Sequence, residues 1–425
     1  MKRRRYPSLT VQILIGLVLG ILLGWLQPEW GKAIKPMATI FLNMIKMIIA
    51  PLIFSTLVIG IAGTGDFKKV GRIGLKAIIY FEIATTIALL IGLFTVNVFR
   101  PGQYIPQMVA TGAAPAASAG SLVQKPQSGS DFLIHVFPTS VVDAMARGDI
   151  LQLVVFSIFF GLALAAIGEK GQPLVSVLNT LAETMFRFTD FVMKFAPLGV
   201  MAAIAFTVGD KGLGVLKGYA SLVVCFYGAL VFFVFVVLFL VCAIIRVPFL
   251  RLFKVIREPF TIAFTTASSE AALPTAMESM ERFGCPRDIV GFVLPTGYSF
   301  NLDGATLYLS LASIFIAQVY GIPLDIKTQL AMMLTLMLTS KGVAGVPRAS
   351  LVVLAGTVAS FNLPMEGVAM LLGIDQILDM GRTATNVTGN CVATAVVARW
   401  EGVLDDQKML SFESASRKAA AGAKS

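Results

Sequence analysis

The chain has 425 residues, of which 56% are hydrophobic and 14% are charged, and its mean hydropathy is +0.82. Because a soluble globular protein carries about 25% charged residues, this composition excludes a soluble enzyme or binding module and predicts a protein surrounded by lipid. The net charge of +10 does not indicate a nucleic-acid partner, since the basic residues form short clusters between apolar runs and no continuous basic and aromatic face.

The cysteines and the one histidine, His135, do not indicate metal or disulfide chemistry. The cysteines are scattered, none has CxxC spacing or a histidine beside it, and most lie in apolar stretches. We interpret them as small buried apolar residues. They are Cys225, Cys242, Cys285 and Cys391.

Six apolar runs before residue 250 come close to or exceed the roughly 20 residues that a membrane span needs. They are 9–27, 37–62, 74–99, 134–168 (broken), 176–207 and 216–245. The first run follows the basic segment Met1–Arg5, but no small-residue cleavage site follows it, so we predict a retained transmembrane helix and no signal peptide. Its Gly16, Gly20 and Gly24 recur every four residues, which predicts a face that packs closely on another helix.

Polar segments interrupt the apolar runs in the remainder of the chain. The runs are 251–282, 288–320, 327–362 and 366–399, and the first three are interrupted by Thr265–Pro274, Asn301–Gly304 and Thr339–Pro347. The first and third interruptions are rich in small residues, end in proline and, by the count of spans, enter from opposite sides of the membrane. Two such broken segments predict an inverted-repeat transporter with a binding site near the midplane, where non-helical backbone must face protein or a cavity.

Basic residues in the short loops indicate the orientation of the chain. Those of 2–5, 68–76 and 246–257 fall on one side if each full span crosses once, so this side is predicted to be cytoplasmic. We therefore expect a multi-pass protein of the bacterial inner membrane with both termini in the cytoplasm. The segment 101–133, rich in Gly, Ala and Ser, is expected outside as a flexible loop.

Polar residues on the last apolar run form a stripe. At about 100° per residue of an α-helix they fall within a sector of roughly 100°, and the remaining surface is apolar. They are Asp375, Asp379, Arg382, Thr383, Asn386 and Asn390. Charges inside a membrane are costly and usually functional, so the stripe predicts a substrate site; a structural polar seam between helices is the alternative.

The stripe matches the chemistry of an acidic amino acid. Arg382 can hold a carboxylate through two hydrogen bonds, Asp379 can pair with an ammonium group, and Asn386 can donate to a second carboxylate. Helix N-termini near Ser268–Ser269 and Gly345–Val346 can offer free backbone N–H groups. A plain dicarboxylate would leave Asp379 without a positive partner.

Four motifs resemble those of the dicarboxylate/amino acid:cation symporters, a family that includes bacterial proton–glutamate symporters and the excitatory amino acid transporters. In chain order they are Ser268–Pro274, Asn301–Gly304, Gly342–Pro347 and Asp379–Asn390, and the likeness covers nearly all of 9–402. The resemblance implies an all-α polytopic membrane protein with eight transmembrane helices plus two re-entrant helical hairpins with inverted repeats. It also implies a homotrimer and elevator-type transport, in which a mobile domain slides across the membrane against a scaffold.

The resemblance divides the chain into scaffold and transport segments. The scaffold would comprise helices 1–2 (1–62) and helices 4–5 (134–207). The transport domain would comprise helix 3 (74–100) and the segment 216–400, which would contain helix 6, hairpin 251–282, helix 7, hairpin 327–362 and helix 8. The loop 101–133 would lie outside the cell, and the tail 401–425 would be cytoplasmic.

By position in the motifs, the resemblance implies substrate contacts from both hairpin tips and the last helix. It assigns the ammonium group to Asp379, the side-chain carboxylate to Arg382 and the amino-acid head group to Thr383 and Asn386. The full set of substrate-binding candidates is Ser268, Ser269, Gly345, Val346, Asp379, Arg382, Thr383 and Asn386. Arg348, just after the second motif, would either pair with an acidic group near the outer gate or lie at a solvated edge.

The coupling ion is less well determined by the resemblance, because this chain departs from the members that bind sodium tightly. Those members carry Asp at the position of Asn390, Thr at the positions of Ala305 and Ala84, and Tyr at the position of Phe81. The candidates for cation coupling are Gly297, Asn301, Asp303, Asn390, Glu82 and Glu270, with a possible sodium site at Asn301, Asp303 and Asn390. We favour the proton, carried by a buried Glu82 or Glu270; sodium coupling and a merely solvated Glu82 are the alternatives.

We therefore predict a secondary active symporter that imports glutamate or aspartate with protons, without a cofactor and without a nucleic-acid partner. The alternatives are a sodium-coupled acidic amino acid symporter and a C4-dicarboxylate symporter. A channel would need polar groups along several helices, and an intramembrane enzyme would need a nucleophile beside a base. Neither pattern is visible in the sequence.

Overall fold

The computed structural model describes residues 9–62, 69–105, 137–147, 150–340 and 349–409. Within these ranges the chain forms helices and turns and no strand, which confirms the predicted all-α class for that part of the chain. Most of the predicted loop 101–133, the predicted tip of the second hairpin and the end of the predicted tail lie outside the described residues.

Nineteen α-helices occupy the described ranges. The first eight are α1 Leu9–Leu26, α2 Pro28–Ala33, α3 Lys35–Ala62, α4 Lys69–Phe99, α5 Val141–Arg147, α6 Ile150–Ile167, α7 Gln172–Met193 and α8 Ala196–Lys211. The next six are α9 Val215–Phe232, α10 Leu238–Ile244, α11 Phe249–Val255, α12 Arg257–Thr266, α13 Ser269–Phe283 and α14 Arg287–Phe300. The last five are α15 Asp303–Val319, α16 Ile326–Thr339, α17 Ala349–Ser360, α18 Glu366–Leu372 and α19 Asp375–Trp400.

Four stretches of the described chain are long and apolar enough to cross a membrane: Arg72–Phe99, Val155–Met185, Val215–Ile244 and Arg287–Val319. The predicted run 176–207 is not one continuous helix, because α7 ends at Met193 and α8 begins at Ala196. Pro197, in the first turn of α8, has no backbone N–H to donate to the preceding turn, which favours a helix start at this point.

The glycines of α1 lie where the sequence predicted close packing. A Cβ atom on Gly16, Gly20 or Gly24 would lie 2.5–2.6 Å from a backbone carbonyl oxygen of α8. The two helices therefore approach each other backbone to backbone, as small residues allow in membranes. The prediction of a tightly packed face on α1 is confirmed.

The polar segments of the second half bring irregular backbone against α19. One break separates α12 from α13 at Ala267, whose φ of 51° is left-handed, and another separates α14 from α15 at Asn301–Leu302. The helices α12, α14 and α15 pack along α19, with α9 and α4 beside them. As a result, every residue of α19 from Asp375 to Ala398 except Ile377 and Met380 is buried, including the whole polar stripe.

Candidate functional site

Arg382 is held by two carboxylates of its own helix. Its Nε lies 2.7 Å from Oδ1 of Asp379, and its Nη1 lies 2.8 Å from Oδ1 of Asp375. The positions are three and seven residues apart, so one face of α19 carries all of them. Arg382 is 1% exposed and Asp375 is fully buried. The remaining nitrogen, Nη2, has no hydrogen-bond partner among the described residues, and it is therefore the donor available to a ligand.

Two tyrosines of neighbouring helices contact α19, one at the guanidinium of Arg382 and one at the backbone. The ring of Tyr308 on α15 lies under Arg382, with 4.5 Å between the ring centroid and Cζ, which is a cation–π contact. Tyr227 on α9 donates a 2.6 Å hydrogen bond to the backbone oxygen of Ile377. Sequence analysis missed both residues, because an aromatic residue in an apolar helix gives no sign of the face to which it turns.

Asn386 links α19 to the start of α15. Its Oδ1 accepts hydrogen bonds from the backbone N–H groups of Gly304 and Ala305, at 2.7 and 3.2 Å. These are orphan donors of the first helical turn, and their use of Oδ1 leaves the Nδ2 group of Asn386 as a donor. Beside it, the hydroxyl of Thr383 donates to Asp379 at 3.3 Å. The structure thus brings the four predicted residues of α19 together on one buried face.

The predicted tip of the first hairpin is a capped helix start. Ser268 is the N-cap of α13 and accepts a 3.3 Å hydrogen bond from the backbone N–H of Ala271, as serine does at this position. Ser269 is buried, whereas Glu270 is exposed. The predicted contributors from the second hairpin, Gly345 and Val346, lie outside the described residues together with Arg348.

A second polar cluster, which we call the cation cluster, consists of Asn301, Asp303 and Asn390. The Nδ2 group of Asn301 donates to Oδ2 of Asp303 and to Oδ1 of Asn390, at 3.1 Å in each case, and all three side chains are fully buried. Glycines make this packing possible: a Cβ on Gly297 would collide with Oδ1 of Asn390, and one on Gly389 would collide with Oδ2 of Asp303. The predicted coupling residues Gly297, Asn301, Asp303 and Asn390 therefore meet.

The cation cluster fits a sodium ion only in part. Oδ1 of Asn301 and Nδ2 of Asn390 are buried without hydrogen-bond partners in the described structure, so one acceptor and one donor remain for a guest. Sodium requires several oxygen ligands, preferably with charge among them, and an amide Nδ2 is not such a ligand. Tyr80 on α4, with a buried hydroxyl near Asp303, belongs to the same region and was missed by sequence analysis.

The two additional carboxylates, Glu82 and Glu270, are less buried than the residues of the two polar clusters. Glu82 is half-buried on α4, where the following turn carries Thr86, whose hydroxyl lies 3.6 Å from Sδ of Met337 on α16. Glu270 is exposed in the first turn of α13. The burial that would suit a proton carrier is therefore absent at Glu270 and incomplete at Glu82.

The far end of α19 is tied to α4 by an ion-pair cluster. Glu401, just after the helix, pairs with Lys76 at 2.7 Å and with Arg72. The hydrogen bond from Lys76, followed by that from Arg72, lowers the pKa of Glu401 from its ordinary value of 4.5. This cluster joins the end of α19, the helix of Asn390, to α4, the helix of Tyr80.

Comparison with known proteins places this sequence among transporters. Residues 9–400 match the Sodium:dicarboxylate symporter family. The chain is 45% identical to the Proton/sodium-glutamate symport protein of Geobacillus stearothermophilus, over 95% of this chain and 97% of that protein. It is 45% identical to the Proton/glutamate-aspartate symporter of Escherichia coli K12, over 96% of each chain, and 42% identical to the C4-dicarboxylate transport protein of Bacillus subtilis 168, over 95% and 96%.

These matches confirm the resemblance inferred from the four motifs, and they confirm a symporter in place of an enzyme. The match extends over both the helices that are long and apolar enough to cross a membrane and the polar helix α19. The chain belongs to the sodium:dicarboxylate symporter family.

Proposed function

We propose that this protein imports acidic amino acids, glutamate or aspartate, by secondary active symport with protons. The observation that carries the proposal is the buried pair of Arg382 and Asp379, 2.7 Å apart on α19. A cation and an anion side by side complement a ligand that has both signs of charge. The relatives with 45% identity are named for transport of glutamate, or of glutamate and aspartate.

The ligand is proposed to lie along the polar face of α19. Its side-chain carboxylate meets Nη2 of Arg382, its ammonium group meets Asp379 and Thr383, and its α-carboxylate accepts from Nδ2 of Asn386. The tips of both hairpins, with Ser268, Ser269, Gly345 and Val346, close the site with backbone N–H groups. A water-excluding site of this kind strengthens each of these charged hydrogen bonds.

A C4-dicarboxylate is the second candidate, because the relative from Bacillus subtilis is named for that substrate. Such a ligand has two carboxylates and no cation, so it would bring a negative group toward the buried Asp379. We therefore place succinate below glutamate and aspartate. Competition of each against radiolabelled glutamate uptake ranks them, and stronger inhibition by succinate than by both amino acids would reverse the assignment.

The proton is proposed as the main coupling ion, with Glu82 and Glu270 as carriers inferred from sequence. The cation cluster supports this choice, because its Asn390 supplies an amide where a hard cation prefers a carboxylate. Its Asn301 and Asp303 retain part of a sodium site, so sodium is the alternative. Both ions occur in the name of the relative from Geobacillus stearothermophilus.

The architecture proposed for this function has a scaffold of 1–62 and 134–207 and a transport domain of 74–100 and 216–400. Its support is the packing of α12, α14 and α15 around α19, and of α3 against α6 and α7. We propose eight crossings plus two hairpins, elevator-type motion, a homotrimer, and cytoplasmic termini in the inner membrane of a bacterium. Crosslinking of the purified protein tests the trimer.

The deciding experiment is uptake of labelled glutamate by proteoliposomes without sodium. An inward proton gradient should drive accumulation above the equilibrium level, and a protonophore should abolish it. Accumulation that requires sodium and ignores the proton gradient would replace the proton by sodium. A steady conductance without accumulation would contradict symport itself.

A further inference from the structure

The chain turns sharply at the end of the apolar stretch Val215–Ile244, which is long enough to cross a membrane. The backbone N–H of Val247 donates to the carbonyl oxygen of Cys242 at 2.8 Å, and Arg246 adopts a left-handed φ of 56°. This hydrogen bond and this backbone conformation are typical of a helix that stops at a defined residue. Positions 245–248 then lead directly into the short helix α11, which therefore lies at the end of the apolar stretch.

Phenylalanine rings hold α11 against this end of the apolar stretch. The ring centroid of Phe249 lies 6.0 Å from that of Phe235 and 5.9 Å from that of Phe239. The ring centroid of Phe253 lies 5.5 Å from that of Phe235. Aromatic pairs at such distances contribute more than the area that they bury. The packing therefore fixes the orientation of α11, and its outer face is a preformed surface.

The two faces of α11 differ in character. Residues at every third position are buried in the protein core: Phe249, Leu252 and Val255. Leu250 and Lys254, four positions apart, lie on the exposed face, and Leu250 is 66% exposed. Ile244, at the end of the apolar stretch, is 80% exposed. Exposed apolar side chains beside a basic one suit the boundary between the acyl chains and the headgroups of a bilayer.

The segment around α11 is strongly basic. Positions 246–258 contain four basic residues and one acidic residue, Glu258, so their formal charge is +3. Arg246 and Arg257, one on each side of α11, are exposed. A group of basic residues directly after a membrane-spanning helix attracts the anionic lipids of the adjacent leaflet. The charge and the exposed apolar side chains thus occur at the same place on the protein.

We propose that anionic phospholipids bind to an exposed surface made of Ile244, Arg246, Leu250, Lys254 and Arg257, which we call the α11 surface. The lipid phosphate lies against the basic side chains, and the acyl chains lie against Ile244 and Leu250. Each basic residue near an anionic membrane surface strengthens binding by about fivefold. The α11 surface is separate from the polar face of α19, and the inference depends on neither the substrate nor the coupling ion.

A phospholipid fits the α11 surface better than a soluble anion does. Exposed apolar side chains recur every four residues along the apolar stretch that leads to this surface: Phe232, Val236, Leu240 and Ile244. An acyl chain can cover this row while its headgroup meets Arg246, whereas a soluble phosphate would leave the row uncovered. Because charge and apolar contact act together, salt should weaken the binding without abolishing it.

The test measures the affinity of the purified protein in detergent for phosphatidylglycerol and phosphatidylcholine by native mass spectrometry. Wild type should prefer phosphatidylglycerol. Arg246→Gln/Arg257→Gln should bind this lipid about 25-fold less tightly, which is about fivefold for each arginine. The control Lys170→Gln/Lys217→Gln removes the same charge at exposed positions elsewhere and should behave as wild type. An unchanged affinity in the arginine variant, or an equal loss in both variants, would overturn the inference.

The variant Leu250→Gln tests the apolar half of the α11 surface and decides the case if the arginine variant does not fold. It keeps every charge and should bind phosphatidylglycerol about tenfold less tightly, since an exposed leucine loses its contact with the acyl chain. Glycerol 3-phosphate, a soluble analogue of the headgroup, should not displace the lipid from wild type. Unchanged lipid affinity in Leu250→Gln, or displacement by glycerol 3-phosphate, would contradict a phospholipid site. A smaller oligomer in Leu250→Gln would instead assign the α11 surface to contact with a second copy of the chain.

Discussion

Replacement of Arg382 by cysteine tests the charge logic of the binding site. The guanidinium offers Nη2 directly to a ligand. A hydrogen bond to a charged group contributes about 1.5–3 kcal/mol, so the variant should lose about that much binding free energy. At about 1.4 kcal/mol per tenfold change, the affinity for glutamate and aspartate should fall by about tenfold to a hundredfold.

The assay is uptake and competition in proteoliposomes, with the amount of folded protein measured by size-exclusion chromatography. Arg382→Cys should lose acidic uptake and can admit a neutral amino acid, because the ammonium partner Asp379 remains. Arg399→Cys is the matched control, since Arg399 lies on the same helix but pairs with Asp406 at its far end. Acidic uptake that survives in a folded Arg382→Cys protein would refute the reasoning.

Three further outcomes follow from the contacts. Asp379→Asn should weaken glutamate binding by about tenfold to a hundredfold, which is the contribution of one charged hydrogen bond. Succinate binding should be weakened far less. An equal loss for both ligands in competition assays would indicate that Asp379 has a structural role and does not bind the ammonium group. Gly389→Ala should lower the free energy of unfolding by about 1–3 kcal/mol, because the added methyl group overpacks the cation cluster. The control Gly291→Ala has open space at its Cβ and should not lower it. Equal melting temperatures of the two variants would contradict this packing. Because the hydrogen bond from Lys76 lowers the pKa of Glu401, its stabilisation is present above pH 4.5 and lost as pH falls through the lowered pKa. Glu401→Gln should therefore show a flatter acid dependence of its melting temperature, and curves parallel to wild type would exclude this contribution.

Membrane character, helical class and the polar face of α19 could be predicted from sequence because each depends on local composition and period. An apolar run of sufficient length has few conformations other than a helix available to it in lipid. Residues separated by three, four or seven positions share a helix face wherever the helix lies. The glycine-rich face of α1 followed from the same kind of argument. The four motifs also predicted the family, which the comparisons confirmed.

Tertiary structure decided which side chains meet across helices. The contact of Tyr308 with Arg382 joins α15 to α19, and the bond between Asn301 and Asn390 spans 89 positions, so no local period could reveal either one. The sequence also did not reveal that Arg382 pairs with both Asp375 and Asp379. It places both carboxylates on the same helix face as Arg382, but it does not determine the side-chain rotamers that bring them into contact. The local sequence pattern determines which face of a helix a side chain occupies, because the helix period is fixed. The packing of helices against each other determines which residues of other helices that side chain contacts.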